Sequence, residues 1–122
     1  MAKTIMVIDD SASIRQVVGI ALKGAGYEVV EAVNGQEALD KLSGQRVHLV
    51  ISDVNMPVMD GITFLKKLKE RAEYKFTPVI MLTTESAENK KAEGQAAGAK
   101  AWVVKPFQPQ QLLNAVSKLV IF

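Results

Sequence analysis

Hydrophobic and polar positions divide the chain into two kinds of alternating segment. One kind is a short apolar run, rich in β-branched residues and bounded by turn-forming residues. Such runs are typical of buried parallel strands. The other kind carries apolar residues every three or four positions, which is the spacing of a helix with one buried face. The pattern predicts strands at residues 5–8, 27–31, 47–53, 78–83 and 101–104.

A helix is predicted after each strand. The first begins at Ser11 or Ser13, because either hydroxyl can cap it. Asn34 and Glu37 form a capping-box-like start for the second helix, and Pro109 suits the first turn of the last one. The fourth predicted helix, residues 86–98, is the weakest, since its apolar face consists only of alanines: Ala87, Ala92, Ala96 and Ala97.

This alternation favours one fold class. Five strand–helix units joined by short connections give an α/β fold, a doubly wound parallel sheet with helices on both faces. The 122 residues are the usual size of one domain, and no linker, repeat or low-complexity tract interrupts them. We therefore expect a single domain over residues 1–122, with nothing left after the fifth helix for an output domain.

Composition narrows the function classes. The net charge of +2 is too small to indicate nucleic acid or an anionic membrane surface as a partner. The chain has no cysteine, which excludes disulfides, a thiol nucleophile and cysteine-ligated metals. No apolar stretch approaches the roughly eighteen residues of a membrane span, and the amino-terminal residues are unlike a signal peptide. We expect a soluble, cytoplasmic protein.

Reactive side chains follow four of the five predicted strands. Asp9 and Asp10 come after the first strand and Asp53 ends the third. Thr83 ends the fourth, and Lys105 follows the fifth. The carboxyl ends of parallel strands lie at one edge of a sheet, where ligands bind in open α/β folds, so these side chains should converge. Each alone would most often be a helix cap or a solvated loop residue, but their joint position indicates a site.

The predicted cluster has the chemistry of phosphoryl transfer. Three carboxylates packed together repel one another unless a cation lies between them. A ligand set made only of oxygen atoms suits a hard ion, for which Mg²⁺ is the cellular candidate. A carboxylate nucleophile, Mg²⁺, the Lys105 ammonium and the Thr83 hydroxyl are together the parts needed to receive and hold a phosphoryl group.

These residues also carry a family resemblance. The motifs, in chain order, are Ile8-Asp9-Asp10, Asp53 followed by Met56-Pro57 and Asp60-Gly61, Thr83, and Lys105-Pro106-Phe107. In motif, spacing and order, the whole chain resembles the receiver domain of bacterial two-component response regulators. The resemblance implies a flavodoxin-like (βα)5 fold with strand order 2-1-3-4-5. With no output domain expected, it implies a stand-alone receiver of the chemotaxis type.

The resemblance implies a role for each acidic residue. Asp53 would accept a phosphoryl group from the phosphohistidine of a sensor histidine kinase or a histidine phosphotransferase, or from a small donor such as acetyl phosphate. Asp10 and Asp53 would ligate Mg²⁺ directly, together with the main-chain carbonyl of Asn55. Asp9 would act on the ion mainly through water.

The remaining roles concern the phosphoryl group and the switch. Lys105 would bind one phosphoryl oxygen, and Thr83 would move to bind another. Asn55 and Glu85 occupy positions that flank the phosphoryl group and tune its hydrolysis. The switch aromatic three residues before the lysine is usually Tyr or Phe in the family, whereas this chain has Trp102.

The implied function is a phosphorylation-controlled binding module. It would not be an enzyme beyond its own phosphoryl uptake and autodephosphorylation. Its phosphorylated form, expected to be a monomer, would bind a downstream protein through the fourth helix, fifth strand and fifth helix. That protein could be a flagellar motor switch component, or the chain could instead serve as a phosphorelay intermediate or phosphate sink.

Two other functions use related chemistry or a related fold. A Mg²⁺-dependent phosphatase with an aspartate nucleophile would carry a second Asp two residues later, where this chain has Asn55, and would need a cap domain. A nucleotide- or flavin-binding protein would need a glycine-rich phosphate loop, but residues 9–13 contain no glycine and are acidic. Of these two functions, the phosphatase is the main alternative, because it would use the same Asp nucleophile and Mg²⁺.

Overall fold

The computed structural model of the chain describes residues 3–42, 45–83, 88–105 and 107–120. The strands are β1 (Thr4–Ile8), β2 (Glu28–Ala32), β3 (Leu49–Asp53), β4 (Val79–Thr83) and β5 (Ala101–Val104). The helices are α1 (Ala12–Gly24), α2 (Gly35–Leu42), α3 (Gly61–Glu70), α4 (Glu88–Ala97) and α5 (Pro109–Leu119), and a 3₁₀ turn (Ala72–Tyr74) precedes β4. Among the described residues, no helix is both long and apolar enough to cross a bilayer.

The five strands form one fully parallel sheet in the order β2-β1-β3-β4-β5. This confirms the predicted α/β fold and the strand order that the resemblance implies. β3 lies at the centre, and all of its residues are buried. The register sets Asp53 beside Leu82 and Thr83 beside Val104. The carboxyl ends of β3, β4 and β5 therefore share one edge.

Different helices cover the two faces of the sheet. Successive side chains of a strand point to opposite faces, so Met6 and Ile8 of β1 enter one core layer while Ile5 and Val7 enter the other. Helices α2 and α3 pack on the first layer, and α1 and α5 pack on the second. The near-continuous apolar strands of the sequence reflect this burial on both sides.

The helix starts follow the predicted capping chemistry. The Ser11 hydroxyl accepts a hydrogen bond from the Ile14 N–H at 3.3 Å, which selects Ser11 over Ser13 as the cap of α1. Before α2, the Asn34 side chain accepts from the Glu37 N–H at 2.8 Å. The Glu37 carboxylate in turn accepts from the N–H of residue 33 at 3.2 Å. These side chains supply partners for main-chain groups that a helix terminus leaves unpaired.

The inner face of α4 differs in part from the prediction. Ala92 and Ala96 are exposed, whereas Ala97 is half-buried and packs on the first core layer as predicted, and Ala87 lies outside the described residues. Among residues 92–97, the buried position is Gly94. A Cβ atom at Gly94 would lie 2.5 Å from the Trp102 ring, so the indole occupies the space that a side chain on the helix would fill. A bulky aromatic ring on β5 thus packs against α4 at Gly94, beside the one predicted alanine, Ala97, that is described as packed on the core.

β3 begins two residues later than predicted, with His48 just before it. The His48 N–H donates to the Thr4 carbonyl at 2.8 Å, and the imidazole Nδ1 accepts from the Thr4 N–H at 3.0 Å. Because the side chain takes that N–H, the regular ladder between β1 and β3 starts at the next pair, Ile5 and Leu49.

Candidate functional site

Three carboxylates lie together at the carboxyl edge of the sheet. Asp9 and Asp10 follow β1, and Asp53 is the last residue of β3. Each offers one oxygen atom, and these atoms all lie within 4.8 Å of one another. Asp9 is fully buried, Asp53 is 7% exposed and Asp10 is exposed. The cluster is thus open to solvent on the side of Asp10.

Lys105 connects the acidic cluster to the end of β4. Its ammonium lies 2.9 Å from an Asp9 oxygen and 3.3 Å from an Asp53 oxygen. Its main-chain N–H donates to the carbonyl of Thr83, a residue that is 2% exposed at the end of β4. The structure therefore brings the residues that end or follow β1, β3, β4 and β5 to one place. The direct ion pair between Asp9 and Lys105 is a feature that the sequence did not reveal.

Burial and charge oppose one another at Asp53. Burial raises the pKa of the Asp53 carboxyl, and the negative charge of Asp9 raises it further, while the Lys105 ammonium offsets only part of the rise. Burial lowers the pKa of Lys105, but its hydrogen bond to Asp9 and the charges of Asp53 and Asp9 outweigh burial and give a net increase. The ammonium stays charged, and the ionised Asp53 is in an environment that a further cation would stabilise.

Asp9 is fixed by contacts on all sides. One carboxylate oxygen accepts from the Ser11 N–H at 2.9 Å, and the other accepts from Lys105. The main-chain carbonyl of Asp9 accepts from Arg15, whose guanidinium also pairs with Glu31 at 3.2 Å. Arg15 supports the site without lying in it. Sequence reasoning missed it, because an arginine in the first turns of an amphipathic helix is ordinary.

The turn after Asp53 requires a glycine. A Cβ atom at Gly61 would lie 2.0 Å from the Asp53 carbonyl oxygen and 2.9 Å from the Met81 side chain. The Gly61 N–H also donates to the Val54 carbonyl at 2.8 Å, and the Asp60 side chain caps α3. The Asp60-Gly61 motif thus lets the start of α3 lie directly against the main chain of Asp53.

Val58, in the loop between β3 and α3, has φ of +69° and a side chain that is 82% exposed. A β-branched residue in this left-handed region is strained by about 1–2 kcal/mol. We expect Val58→Gly to raise the free energy of unfolding by about 0.5–1 kcal/mol, because relief of strain exceeds the entropic cost of glycine. Urea denaturation measures the change. The control is Val33→Gly, at an exposed valine without positive φ, which should lower the free energy of unfolding. Equal losses in both variants would show that the backbone at Val58 is not strained.

Of the other predicted residues, the structure describes Asn55 and Trp102. Asn55 is exposed in the loop after β3. Trp102 is partly buried in β5, with its ring against α4 at Gly94. Glu85 and Pro106 lie outside the described residues.

The sequence matches the response regulator receiver domain family over residues 5–117. It is 36% identical over 113 residues to the phosphate regulon transcriptional regulatory protein PhoB of Pseudomonas aeruginosa, covering 93% of this chain and 49% of that protein. It is 36% identical over 120 residues to the transcriptional regulatory protein SrrA of Staphylococcus aureus, covering 98% of this chain and 48% of that protein. The chain spans about half the length of the curated relatives it matches.

Solved structures give the same assignment. The chemotaxis response regulator CheY4 of Vibrio cholerae superposes with a TM-score of 0.92 at 49% sequence identity, covering 98% of this chain and 99% of that one. The receiver domain of the Francisella response regulator 1452 superposes with a TM-score of 0.87 at 30% identity, covering 97% and 96% of the two chains. Together with the matched residues, these similarities establish that the chain belongs to the response regulator receiver domain family.

Proposed function

We propose that this chain is the phosphorylation-controlled receiver of a two-component phosphorelay, with Asp53 as its phosphoryl acceptor. The observation that carries the proposal is the position of the Asp53 carboxylate. It is nearly buried, lies 3.3 Å from the Lys105 ammonium and belongs to a cluster of three carboxylates. A nucleophilic oxygen beside a fixed cation is suited to accept a phosphoryl group.

We propose Mg²⁺ as the ion that this cluster binds. The ligand set is all oxygen, which suits a hard cation. Oxygens bound to one Mg²⁺ at about 2.1 Å lie at most about 4.2 Å apart, and the carboxylate oxygens here lie within 4.8 Å of one another, so small side-chain adjustments suffice. Asp10, Asp53 and the Asn55 carbonyl would hold the ion, with Asp9 acting through water. When bound, Mg²⁺ supplies positive charge that offsets repulsion between the carboxylates and phosphoryl oxygens.

The transfer step follows from the position of Asp53. A carboxylate oxygen of Asp53 forms a bond to phosphorus while the bond from phosphorus to the donor's imidazole nitrogen breaks, and its electron pair leaves with the imidazole. The Lys105 ammonium, already 3.3 Å from that carboxylate, binds a phosphoryl oxygen, and the Thr83 hydroxyl donates to another. From the family resemblance, we expect Asn55 and Glu85 to tune the hydrolysis of the phosphoryl group.

The donor would be a histidine kinase or histidine phosphotransferase, and the output would be a change in the surface formed by α4, β5 and α5. The Vibrio cholerae protein that is 49% identical to this chain is a chemotaxis response regulator. We therefore propose a role in chemotaxis, with a flagellar motor switch protein as the target. The receiver domain would act as a monomer in the cytoplasm.

Acetyl phosphate tests the proposed function directly. Incubated with this donor and Mg²⁺, the protein should gain one phosphoryl group by intact-mass spectrometry, and EDTA should suppress the gain. The modification should be labile to hydroxylamine, as an acyl phosphate is. Steady turnover of a phosphomonoester without any accumulated phosphoprotein would contradict the receiver function and favour a phosphatase.

Mg²⁺ should stabilise the fold through Asp10. In millimolar Mg²⁺ we expect the free energy of unfolding to rise by about 1 kcal/mol, equivalent to a few degrees in melting temperature. Asp10→Asn should raise the melting temperature of the metal-free protein, because one repelling charge is removed, and should abolish most of the response to Mg²⁺. Differential scanning fluorimetry measures both effects.

The matched control is Asp40→Asn, which removes an exposed carboxylate on α2 that does not belong to the cluster. It should respond to Mg²⁺ as the wild type does. If Asp10→Asn kept the full response, Asp10 would not be a ligand.

Trp102 should report the switch. The phosphoryl group adds a charge of about −1.5 to −2 near Thr83, so the hydroxyl is drawn toward it and leaves space between β4 and α4. We expect the indole to turn further inward, giving a shift in tryptophan emission and weaker quenching by iodide after phosphorylation. Trp102 is the only tryptophan of the chain, so its emission reports this site alone.

Thr83→Ala separates phosphorylation from the switch. This variant should still gain a phosphoryl group, yet its emission should not change, because no hydroxyl moves. A ring already packed against Gly94 could instead keep one fixed rotamer. Unchanged emission and quenching in the phosphorylated wild type would show that the ring keeps one rotamer, and Trp102 would then not be part of the switch.

A further inference from the structure

A second concave site lies at the opposite, amino-terminal edge of the sheet. It is a cleft of about 550 Å³ between the residues that precede β3 and those that precede β4. This volume is within the usual range of small-molecule sites, about 300–1,000 Å³. Its floor is apolar, made by the buried side chains of Val47, Tyr74 and Pro78. The cleft shares no residue with the acidic cluster.

The floor of this cleft is held rigidly. The Tyr74 hydroxyl lies within hydrogen-bonding distance of the carbonyls of Leu42 and Gln45, which ties the 3₁₀ turn to the chain before β3. The N–H of Thr77 donates to the Tyr74 carbonyl at 3.1 Å. The two walls are therefore cross-linked by hydrogen bonds, and a ligand would enter a preformed site.

One wall of the cleft is cationic. Arg46 and His48, which precede β3, line this wall, and the acidic residue of the cleft, Glu73, lies in the 3₁₀ turn that precedes β4. Since the Thr4 N–H donates to Nδ1 of His48, the neutral imidazole carries its proton on Nε2 and offers an N–H donor. Burial lowers the pKa of His48, and the positive charges of Arg46 and Lys3 lower it further. The positive charges of Arg46 and Lys3 act on the imidazole and favour an anion beside it.

The other wall presents an aromatic ring. Phe76 is 86% exposed, the largest exposed fraction among the bulky apolar side chains that the structure describes. It lines the cleft, and the Lys75 ammonium lies 5.8 Å from the centre of its ring. A largely exposed aromatic ring beside an apolar floor offers a stacking surface for a flat apolar group.

We propose that this cleft binds a small organic carboxylate with a flat apolar body. The carboxylate would meet the Arg46 guanidinium and the His48 Nε2–H, while the flat body would lie between the Phe76 ring and the floor. The site lies at the other end of β3 from Asp53: His48 precedes Asp53 by five positions, which span about 16 Å in a strand. The proposal does not depend on the phosphorylation chemistry, which is tested separately.

A matched pair of probes tests the charge requirement. 2-Naphthoate and 2-naphthamide share one flat body, and only the first is anionic. Titrated into ¹⁵N-labelled protein, 2-naphthoate should shift the amide signals of Thr4, His48 and Thr77 in a saturable way, with no change at Val54 beside the acidic cluster. 2-Naphthamide should bind at least about tenfold more weakly, as expected on losing charge-assisted hydrogen bonds.

Substitutions at two exposed residues of the cleft test which side chains bind the probes. Arg46→Gln should weaken 2-naphthoate binding about tenfold and leave 2-naphthamide binding unchanged, whereas Phe76→Ala should weaken both. Lys67→Gln, which removes a charge from the exposed face of α3, is the matched control and should change neither. All three should unfold at the wild-type urea midpoint, since these side chains are exposed.

Three outcomes would overturn the proposal. These are the lack of saturable shifts, equal affinity for the two probes, and an Arg46→Gln variant that binds 2-naphthoate as the wild type does. Normal phosphoryl uptake by Asp53 in the same preparation would confine any such failure to the cleft.

Discussion

Asp53→Asn is expected to lose all phosphoryl uptake from acetyl phosphate while gaining stability. Uptake is lost because the amide has no carboxylate oxygen to form the acyl phosphate. Stability rises because burial and Asp9 raise the pKa of the Asp53 carboxyl, so that the ionised form present at neutral pH is unfavourable in the folded state. Intact-mass spectrometry measures the first effect and thermal unfolding without Mg²⁺ measures the second.

The sign of the pH effect follows from the same shift. A carboxyl with a raised pKa binds its proton more tightly in the folded state, so the wild type loses stability as pH rises from the ordinary value of 3.8 toward the folded pKa. Asp53→Asn lacks this loss, and its stability advantage should therefore appear over that pH range and persist above it.

Asp40→Asn serves as the control for both measurements. Its carboxylate is exposed on α2, and its loss should leave phosphoryl uptake at the wild-type extent. If Asp53→Asn were phosphorylated as fully as the wild type, another residue would be the acceptor and the proposed mechanism would be wrong.

The sequence predicted the strand ends well because their signals are local. An apolar run that stops at Asp53 and a run that stops at Thr83 can be read from consecutive residues, and the parallel sheet then brings such ends to one edge. The order of the strands could not be read in this way. It came from the resemblance, and the sheet confirms it.

Contacts between distant elements explain what the sequence did not predict. The ion pair of Asp9 with Lys105 joins residues 96 positions apart, and the imidazole of His48 replaces a main-chain partner of a different strand. The exposed alanines of α4 follow from the Trp102 ring, which takes the inner position at Gly94. The spacing of apolar residues predicts the buried face of a helix from the sequence of that helix alone. Packing against a large ring on a neighbouring strand can override this prediction.

Gly61→Ala should destabilise the fold and impair the site together. The added methyl carbon would lie 2.0 Å from the Asp53 carbonyl oxygen, and a main-chain atom of the central strand cannot move aside cheaply. We expect a loss of about 3 kcal/mol in the free energy of unfolding, at the upper end for overpacking. Any relief of the clash displaces Asp53 or α3, so uptake from acetyl phosphate should slow at least about tenfold.

Gly24→Ala is the matched control for Gly61→Ala. Gly24 ends α1, and a Cβ atom there meets nothing within 4 Å. The same substitution at Gly24 should raise stability by up to about 1 kcal/mol through helix propensity and leave phosphoryl uptake unchanged. Urea denaturation and time-resolved intact-mass spectrometry of the two variants give the comparison. Equal stabilities would mean that the chain can separate α3 from Asp53 without loss, and the close contact would not be what positions the acceptor.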